Sequence, residues 1–325
     1  MRDFDVRADA VPVTAFDPHP PSVILRADAL AAGYDDRDIR RMKKGGAWRS
    51  IRRGGYLPTP QYTQLDARGR HQALIRATLS ALKSPAVVSH TSAAVMLGLP
   101  LWGPHPGLVQ ITRRPGSTVT RSACLLVHAA ALDESLDLTD VAGVTVTNAT
   151  RTVVDMGRTL PFEQAVVAAD GALQMGMTTR ELLLDAVERV SGTPGSRSAR
   201  RVIEFADGLS ESVGESRSRV LIHRAGLPAP TLQHEVTDYL GRPLGRADFA
   251  WYDGRLLGEF DGRVKYGKLL RPGETPSEVV FREKRREDAF RDNGARVVRW
   301  VWDELDRPDE IAQRIRRGLA AIESS

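Results

Sequence analysis

Asp248, Glu259 and Asp261 lie in the stretch GRADFAWYDGRLLGEFDGRVKYG, residues 245–267, which otherwise reads as two strands. Strands ordinarily exclude Asp and Glu, so acids placed there ask for a chemical reason. Asp253-Gly254 is the turn signal of a two-residue hairpin. That turn sets Trp251 against Leu256, Ala250 against Leu257, Phe249 against Gly258 and Asp248 against Glu259. Cβ atoms of such a directly opposed pair are roughly 5 Å apart, and Asp261 projects from the face of Glu259. Like charges directly opposite destabilise a sheet, and a divalent cation between Asp248 and Glu259 would relieve the repulsion. Hard carboxylate oxygens suit Mg²⁺ (or Mn²⁺), bound together with water and substrate phosphates. The other face, with Ala247, Phe249, Trp251, Leu256 and Phe260, reads as core.

A second constellation is cationic. Arg37, Arg40, Arg41, Lys43, Lys44, Arg49, Arg52 and Arg53 fall within seventeen residues that hold one acid, Asp38. Arg37, Arg40, Arg41 and Lys44 recur at i, i+3, i+4 and i+7 and share one helix face. Ile39 and Met42 point elsewhere, to a small core. A helix with such a face suits a major groove, with Arg52 and Arg53 on phosphates beside it. The competing reading is a solvated basic face.

The elements that must position these groups are legible from punctuation. A Pro-rich leader, 1–21, precedes a helix over Ala27–Ala32 that Gly33 ends. Asp35 caps a second helix that stops at Gly45-Gly46, and AWRSIRRGGYLP forms a hairpin. Together these outline a winged helix-turn-helix over 22–62. Helices and strands are mixed over 63–190, with a capping box predicted from Thr178 to Glu181. The stretch 191–209, opening on SGTPGSRSAR, reads as linker and connecting helix. From 210 to 325 the order is helix, strands over 231–262, helix over 277–292, strand over 295–302 and a helix from 308. The class is therefore α/β (α+β) and multidomain.

Composition bounds the rest. The 325 residues are 42% hydrophobic, enough for real cores. Lys and Arg number 46 against 41 acids, net +5, with a pI near 9.5. That is a mild bias towards anionic partners. The lone cysteine, Cys124, excludes an internal disulfide and a Cys-rich zinc module and fits a reducing cytosol. The first residues lack a signal peptide's apolar region, and no apolar run approaches ~18 residues. The expected location is cytoplasmic, away from the membrane. The histidines show no metal spacing, and Ser216 and Ser218 lack a His–Asp set.

Residues 23–60 resemble the N-terminal winged helix of AbiEi-type antitoxins, the transcription-repressing half of type IV toxin–antitoxin pairs. AVVSHTSAAVMLGLPLW, VTVTNATRTVVDM and AVVAADGALQMGMTTREL are similar to the domain that follows in those proteins, so that likeness spans about 20–190. It implies double-stranded operator DNA as partner, self-repression, and a cognate toxin as an indirect, operon-level partner.

The rest resembles the PD-(D/E)XK nuclease superfamily, closest to domains similar to very short patch repair endonucleases. EFDG at 259–262, the helix FREKRREDAFRDNG at 281–294 and the strand GARVVRW at 294–300 carry the likeness, over about 211–320. It implies that Asp248 and Glu259 are metal ligands and that Glu215 is the acid of the first helix. The superfamily's lysine lies two residues after its second acid, where this chain has Asp261. Lys265 and Lys284 are the candidates to replace it. In the intact mechanism metal and lysine activate a water for in-line attack on a phosphodiester.

Structural roles compete at each position. Glu215 and Arg219, and Lys284 and Asp288, are i, i+4 pairs, and Arg246 is a neighbour for Asp248. The leading expectation is a DNA-binding protein with a Mg²⁺-dependent endonuclease domain. The alternative is an antitoxin and repressor that keeps the nuclease fold without its activity, and a protein-interaction module is the third.

Overall fold

The computed structural model describes residues 22–103, 107–262 and 276–324, with side chains over 276–283 left aside. The chain divides into two compact units, Met1–Ala206 and Asp207–Ser325.

Unit 1 opens with β1 (Ile24–Leu25), α1 (Arg26–Ala31), α2 (Asp36–Lys44), β2 (Trp48–Arg52) and β3 (Gly55–Pro58). Gly33 takes φ +90° just past α1, a left-handed conformation that glycine alone adopts without strain. Asp35 then starts α2 with a capping box. Its carboxylate accepts the N–H groups of Arg37 and Asp38, and the Asp38 carboxylate accepts that of Asp35. The strands pair in the order β1-β3-β2. Ala29, Ile39, Trp48 and Tyr56 form a small core, with Ile24 and Met42 packed against it.

The chain continues through α3 (Thr59–Gln64), α4 (Ala67–Leu79), β4 (Val87–Val88), α5 (His90–Leu97), β5 (Val109–Arg113), β6 (Leu125–Ala129), α6 (Glu134–Asp137), β7 (Leu138–Val141), β8 (Val144–Thr147), α7 (Ala149–Thr159), α8 (Phe162–Gln174), α9 (Arg180–Arg189) and α10 (Ser196–Phe205). A five-stranded sheet, order β6-β5-β4-β8-β7, carries the core Val88, Val109, Ile111, Val127, Val144 and Val146, with Ile75 of α4 and Met96 of α5. Buried Arg151 joins Asp137 at 2.9 Å and Asp155 at 3.0 Å, and Arg189 of α9 reaches Asp137 at 2.9 Å.

One detail departs from the sequence reading and another sharpens it. The N-cap of α9 is Thr179, whose hydroxyl accepts from Leu182; Thr178 instead bonds Thr150 across to α7. Within 191–209, α10 buries Ala199, Val202 and Ile203, and glycine 157 of α7 comes so close that an added Cβ would lie 2.9 Å from the Ala199 backbone. That packing makes α10 part of unit 1, which ends at Ala206.

Unit 2 consists of α11 (Val213–Arg224), β9 (Thr231–Thr237), β10 (Pro243–Trp251), β11 (Leu256–Asp261), α12 (Pro276–Asp292), β12 (Arg296–Val301), a 3-10 turn (Trp302–Glu304) and α13 (Pro308–Glu323). The sheet order is β12-β11-β10-β9. Strands β9, β10 and β11 form an antiparallel meander, and β12 lies parallel to β11 after the α12 crossover. The Asp253-Gly254 turn forms as expected. Both residues have positive φ, 51° and 85°, and Arg255 N–H donates to Tyr252 C=O at 3.1 Å. The pairs Trp251–Leu256, Ala250–Leu257 and Phe249–Gly258 follow from it.

Both faces of this sheet are covered. Phe249, Trp251, Leu256, Phe260 and Trp300 pack with Leu221 and Ile222 of α11 and Ile311, Ile315 and Leu319 of α13. Ala250 and Leu257 pack on the other face with Phe290 of α12. The face carrying Glu259 is therefore roofed by a helix, and Ala247 joins the Phe290 cluster and not the Phe249 one.

Candidate functional site

The register of unit 2 aligns polar residues in one row. Glu259 sits opposite Arg299 on β12. Ala247–His234 and Phe249–Leu232 place Asp248 between β9 and β11 at the level of Gln233, and Phe249–Gly258 carries that level to Glu259. The Asp248 carboxylate accepts the N–H of Phe260 at 2.8 Å, extending the β10–β11 ladder with a side chain.

Glu259 is only 3% exposed. Its Oε1 accepts from the Arg286 guanidinium of α12 at 2.9 Å, and its Oε2 accepts from Arg299. Arg299 also pairs with Glu287 at 2.9 Å and comes within 4.0 Å of half-exposed Asp261. Burial works against the Arg299 charge, but Glu259, Asp261 and Glu287 outweigh it and hold the guanidinium above its ordinary range. Half-buried Arg246, the neighbour weighed for Asp248, reaches Glu211 at 2.8 Å.

The remaining nuclease candidates are placed as follows. Glu215 is buried on the first turn of α11. Its carboxylate accepts from the Ser212 hydroxyl at 2.7 Å, the Glu211 N–H at 2.9 Å and the Gln233 amide at 2.8 Å. Gln233 holds φ +50° inside β9, so the strand bends at the residue that ties Glu215 to the sheet. Lys265 lies outside the described residues. Lys284 is exposed and stands two residues before Arg286, about 200° around the helix, on the side away from Glu259. Ser218 accepts from the Trp300 indole and donates to the Gly214 carbonyl, both at 2.7 Å.

A divalent cation would need carboxylate oxygens at about 2.1 Å for Mg²⁺. Both Glu259 oxygens already face guanidinium groups, and each guanidinium would stand beside the incoming ion with the same sign of charge. In this arrangement Glu259 does not fit a metal ion. Among the described residues no group of three or more His, Cys, Asp or Glu side chains is disposed to hold one.

In unit 1, Arg37, Arg40, Arg41 and Lys44 are all exposed along α2. Arg41 is paired with Asp38 at 2.6 Å; Arg37, Arg40 and Lys44 make no ion pair among the described residues. Lys43 lies to one side, over the Tyr56 ring at 5.8 Å. Arg53 is exposed beside Gly54 at the hairpin turn. Arg52, expected on phosphates, turns inward instead: its guanidinium donates to the Ala77 carbonyl of α4 at 3.1 Å. The reason is close packing, since an added Cβ on Gly55 would meet Ala77 at 2.9 Å. Arg49 and Arg70 flank the Tyr62 ring at 5.2 and 4.8 Å. Sequence spacing gave no sign of Arg70, because the aromatic between them is far from both in sequence.

The fold also joins histidines that showed no pattern. His90 has φ +53° at the start of α5 and stacks on His128 at 3.6 Å. His90 bonds Ser89, Ser89 bonds Thr112, and His128 bonds Gln110, with contacts of 2.8–2.9 Å. Burial first, then His128, Arg158 and Arg151, hold His90 well below the ordinary imidazole range.

No protein-family model matches the chain. It is similar to two uncharacterized proteins of Mycobacterium tuberculosis, Rv2248 of strain H37Rv and MT2308 of strain CDC 1551. Each is 32% identical over 206 residues, which is 63% of this chain and 72% of the relative.

Proposed function

The chain belongs to the family of these mycobacterial proteins, and we propose that it is a duplex-DNA-binding regulator. On this reading 22–62 acts as a winged helix-turn-helix that lays α2 in the major groove. Unit 2 keeps a PD-(D/E)XK-like arrangement without using it for hydrolysis. The observation that carries the reading is the exposed row Arg37, Arg40 and Lys44, which make no ion pair among the described residues; the nearest acid to Arg40, Asp36, is itself bonded to Arg26. Such groups gain by displacing counterions from phosphates, and a solvated face has no reason to keep one sign of charge. The likeness to AbiEi-type antitoxins extends this to repression of the protein's own operon, in the cytoplasm. There a cognate toxin is an indirect partner.

A second reading, Mg²⁺- or Mn²⁺-dependent cleavage of DNA, draws on the row that places Asp248 level with Glu259. Against it stand the arginines on Glu259 and Asp261 at the superfamily's lysine position. One experiment separates the two. Purified protein is assayed for binding to its own upstream duplex and for nicking of plasmid DNA with Mg²⁺ and Mn²⁺. Binding without nicking is expected. Nicking lost in Asp248→Ala, Glu259→Ala or Lys265→Ala would establish the second reading, and absence of duplex binding would refute the first.

A further inference from the structure

Three acids and two arginines meet at Glu259, and the pattern of contacts assigns that carboxylate a role other than holding a metal. Arg286 comes from α12, Arg299 from β12 and Glu259 from β11, so this one buried side chain ties three elements together. Glu287 of α12 takes a second bond from Arg299 and closes the circuit. We infer that Glu259 is the hub of an ion-pair network that pins α12 and β12 to β11, with guanidinium groups standing where a nuclease would hold its cation. Unit 2 therefore takes no divalent cation at Glu259.

The physical distinction is one of sign. Carboxylates gathered for a metal repel each other when the metal is absent, so neutralising one relieves strain in the metal-free protein. A buried carboxylate that is the counter-ion of half-buried arginines does the opposite, because its loss takes the shared partner from Arg286 and leaves Arg299 with Glu287 and half-exposed Asp261 alone. The inference concerns unit 2 alone and does not rest on DNA binding by α2.

The test uses the full chain in EDTA, followed by calorimetry and by hydrogen exchange of the α12 and β12 segments. Glu259→Gln is expected to lower the unit 2 Tm by on the order of 5 °C, since both arginines keep access to solvent and Arg299 keeps Glu287, and to speed exchange in both segments. Arg299→Gln should do the same, and the double variant should lose less than the two single losses added. Millimolar MnCl₂ should leave the wild-type Tm unchanged. A Tm raised by Glu259→Gln in EDTA would overturn the inference. So would a Mn²⁺-induced Tm rise in the wild type that Asp248→Asn abolishes, an arm that stands even where Glu259→Gln does not fold. Such a rise would restore the hydrolytic reading of unit 2 while leaving the salt dependence of α2 untouched.

Discussion

Replacing Arg40, Arg41 and Lys44 together by alanine should flatten the salt dependence of duplex binding by about two charges. Each phosphate neutralised contributes about 0.9 to the slope of log K against log salt. The three residues are exposed on one face of α2, but Arg41 is partly spent on Asp38, 2.6 Å away. Arg40 and Lys44 therefore carry most of the effect, a slope change of about 1.8. Referred to ~1 M salt, that is a loss of about 60-fold in affinity near 0.1 M, or roughly 2.4 kcal/mol. Fluorescence anisotropy with a labelled duplex, titrated across ~50–300 mM KCl, reads both quantities. Arg52→Ala is the control. Its guanidinium is bonded to the Ala77 carbonyl, so the variant should lose stability and keep the slope. An unchanged slope in the triple variant would remove α2 from the interface, and a flattening in Arg52→Ala would refute the inward placement of Arg52 in the DNA-bound protein.

Other expectations test the scaffold. Arg151→Leu removes the cation shared by Asp137 and Asp155, which are only 4% and 1% exposed; Arg189 and Arg158 still reach them, so the cost in denaturant unfolding should fall at or below about 3 kcal/mol. His90 is depressed by burial, so the folded protein resists a proton that the unfolded chain accepts. Stability is then complete above the unfolded value near ~6.5 and lost as pH falls below it, by up to about 1.4 kcal/mol per pH unit. A Tm–pH profile between 7 and 5 should show this in unit 1, and His90→Asn, which tolerates positive φ, should flatten it. Gly214→Ala places a Cβ 1.9 Å from the Phe260 ring; overpacking of about 1–3 kcal/mol is expected, visible as a lower Tm of unit 2.

Much of the fold was legible because local signals act over few residues. Asp35 caps α2 and Asn148 caps α7 through side-chain oxygens close to the N–H groups they satisfy. The Asp253-Gly254 turn fixes the β10–β11 register within four residues of its centre. The capping box failed at Thr178 because two adjacent threonines can both accept from the first turn. Contact with Thr150, 28 residues away, decided which of them did. The stretch 191–209 reads as linker and connecting helix, and α10 is that helix; what its composition does not reveal is that Ala199 lets it approach Gly157 of α7.

The site was half visible, and the missing half is its charge balance. Asp248, Glu259 and Asp261 do lie on strands, but period-two alternation breaks around Asp248, where Ala247 and Phe249 pack on opposite faces, and it says nothing about what covers Glu259. The roof is α12, which reaches Glu259 through Arg286 across 27 residues of sequence. One signal for Arg299 was present. A strand, a helix and a strand in succession form a parallel crossover unit, so β12 had to lie beside β11 or one place removed. Adjacent and parallel, the two strands bring GARVVRW against LLGEFD, and the arginine of the first falls beside the glutamate of the second. A cation built into the neighbouring strand at that register is the simplest partner for a buried acid, and it competes directly with any ion that would enter from solvent. The sequence resemblance singles out Asp248 and Glu259 as an acidic pair, whereas in the fold Arg286 and Arg299 take both oxygens of Glu259.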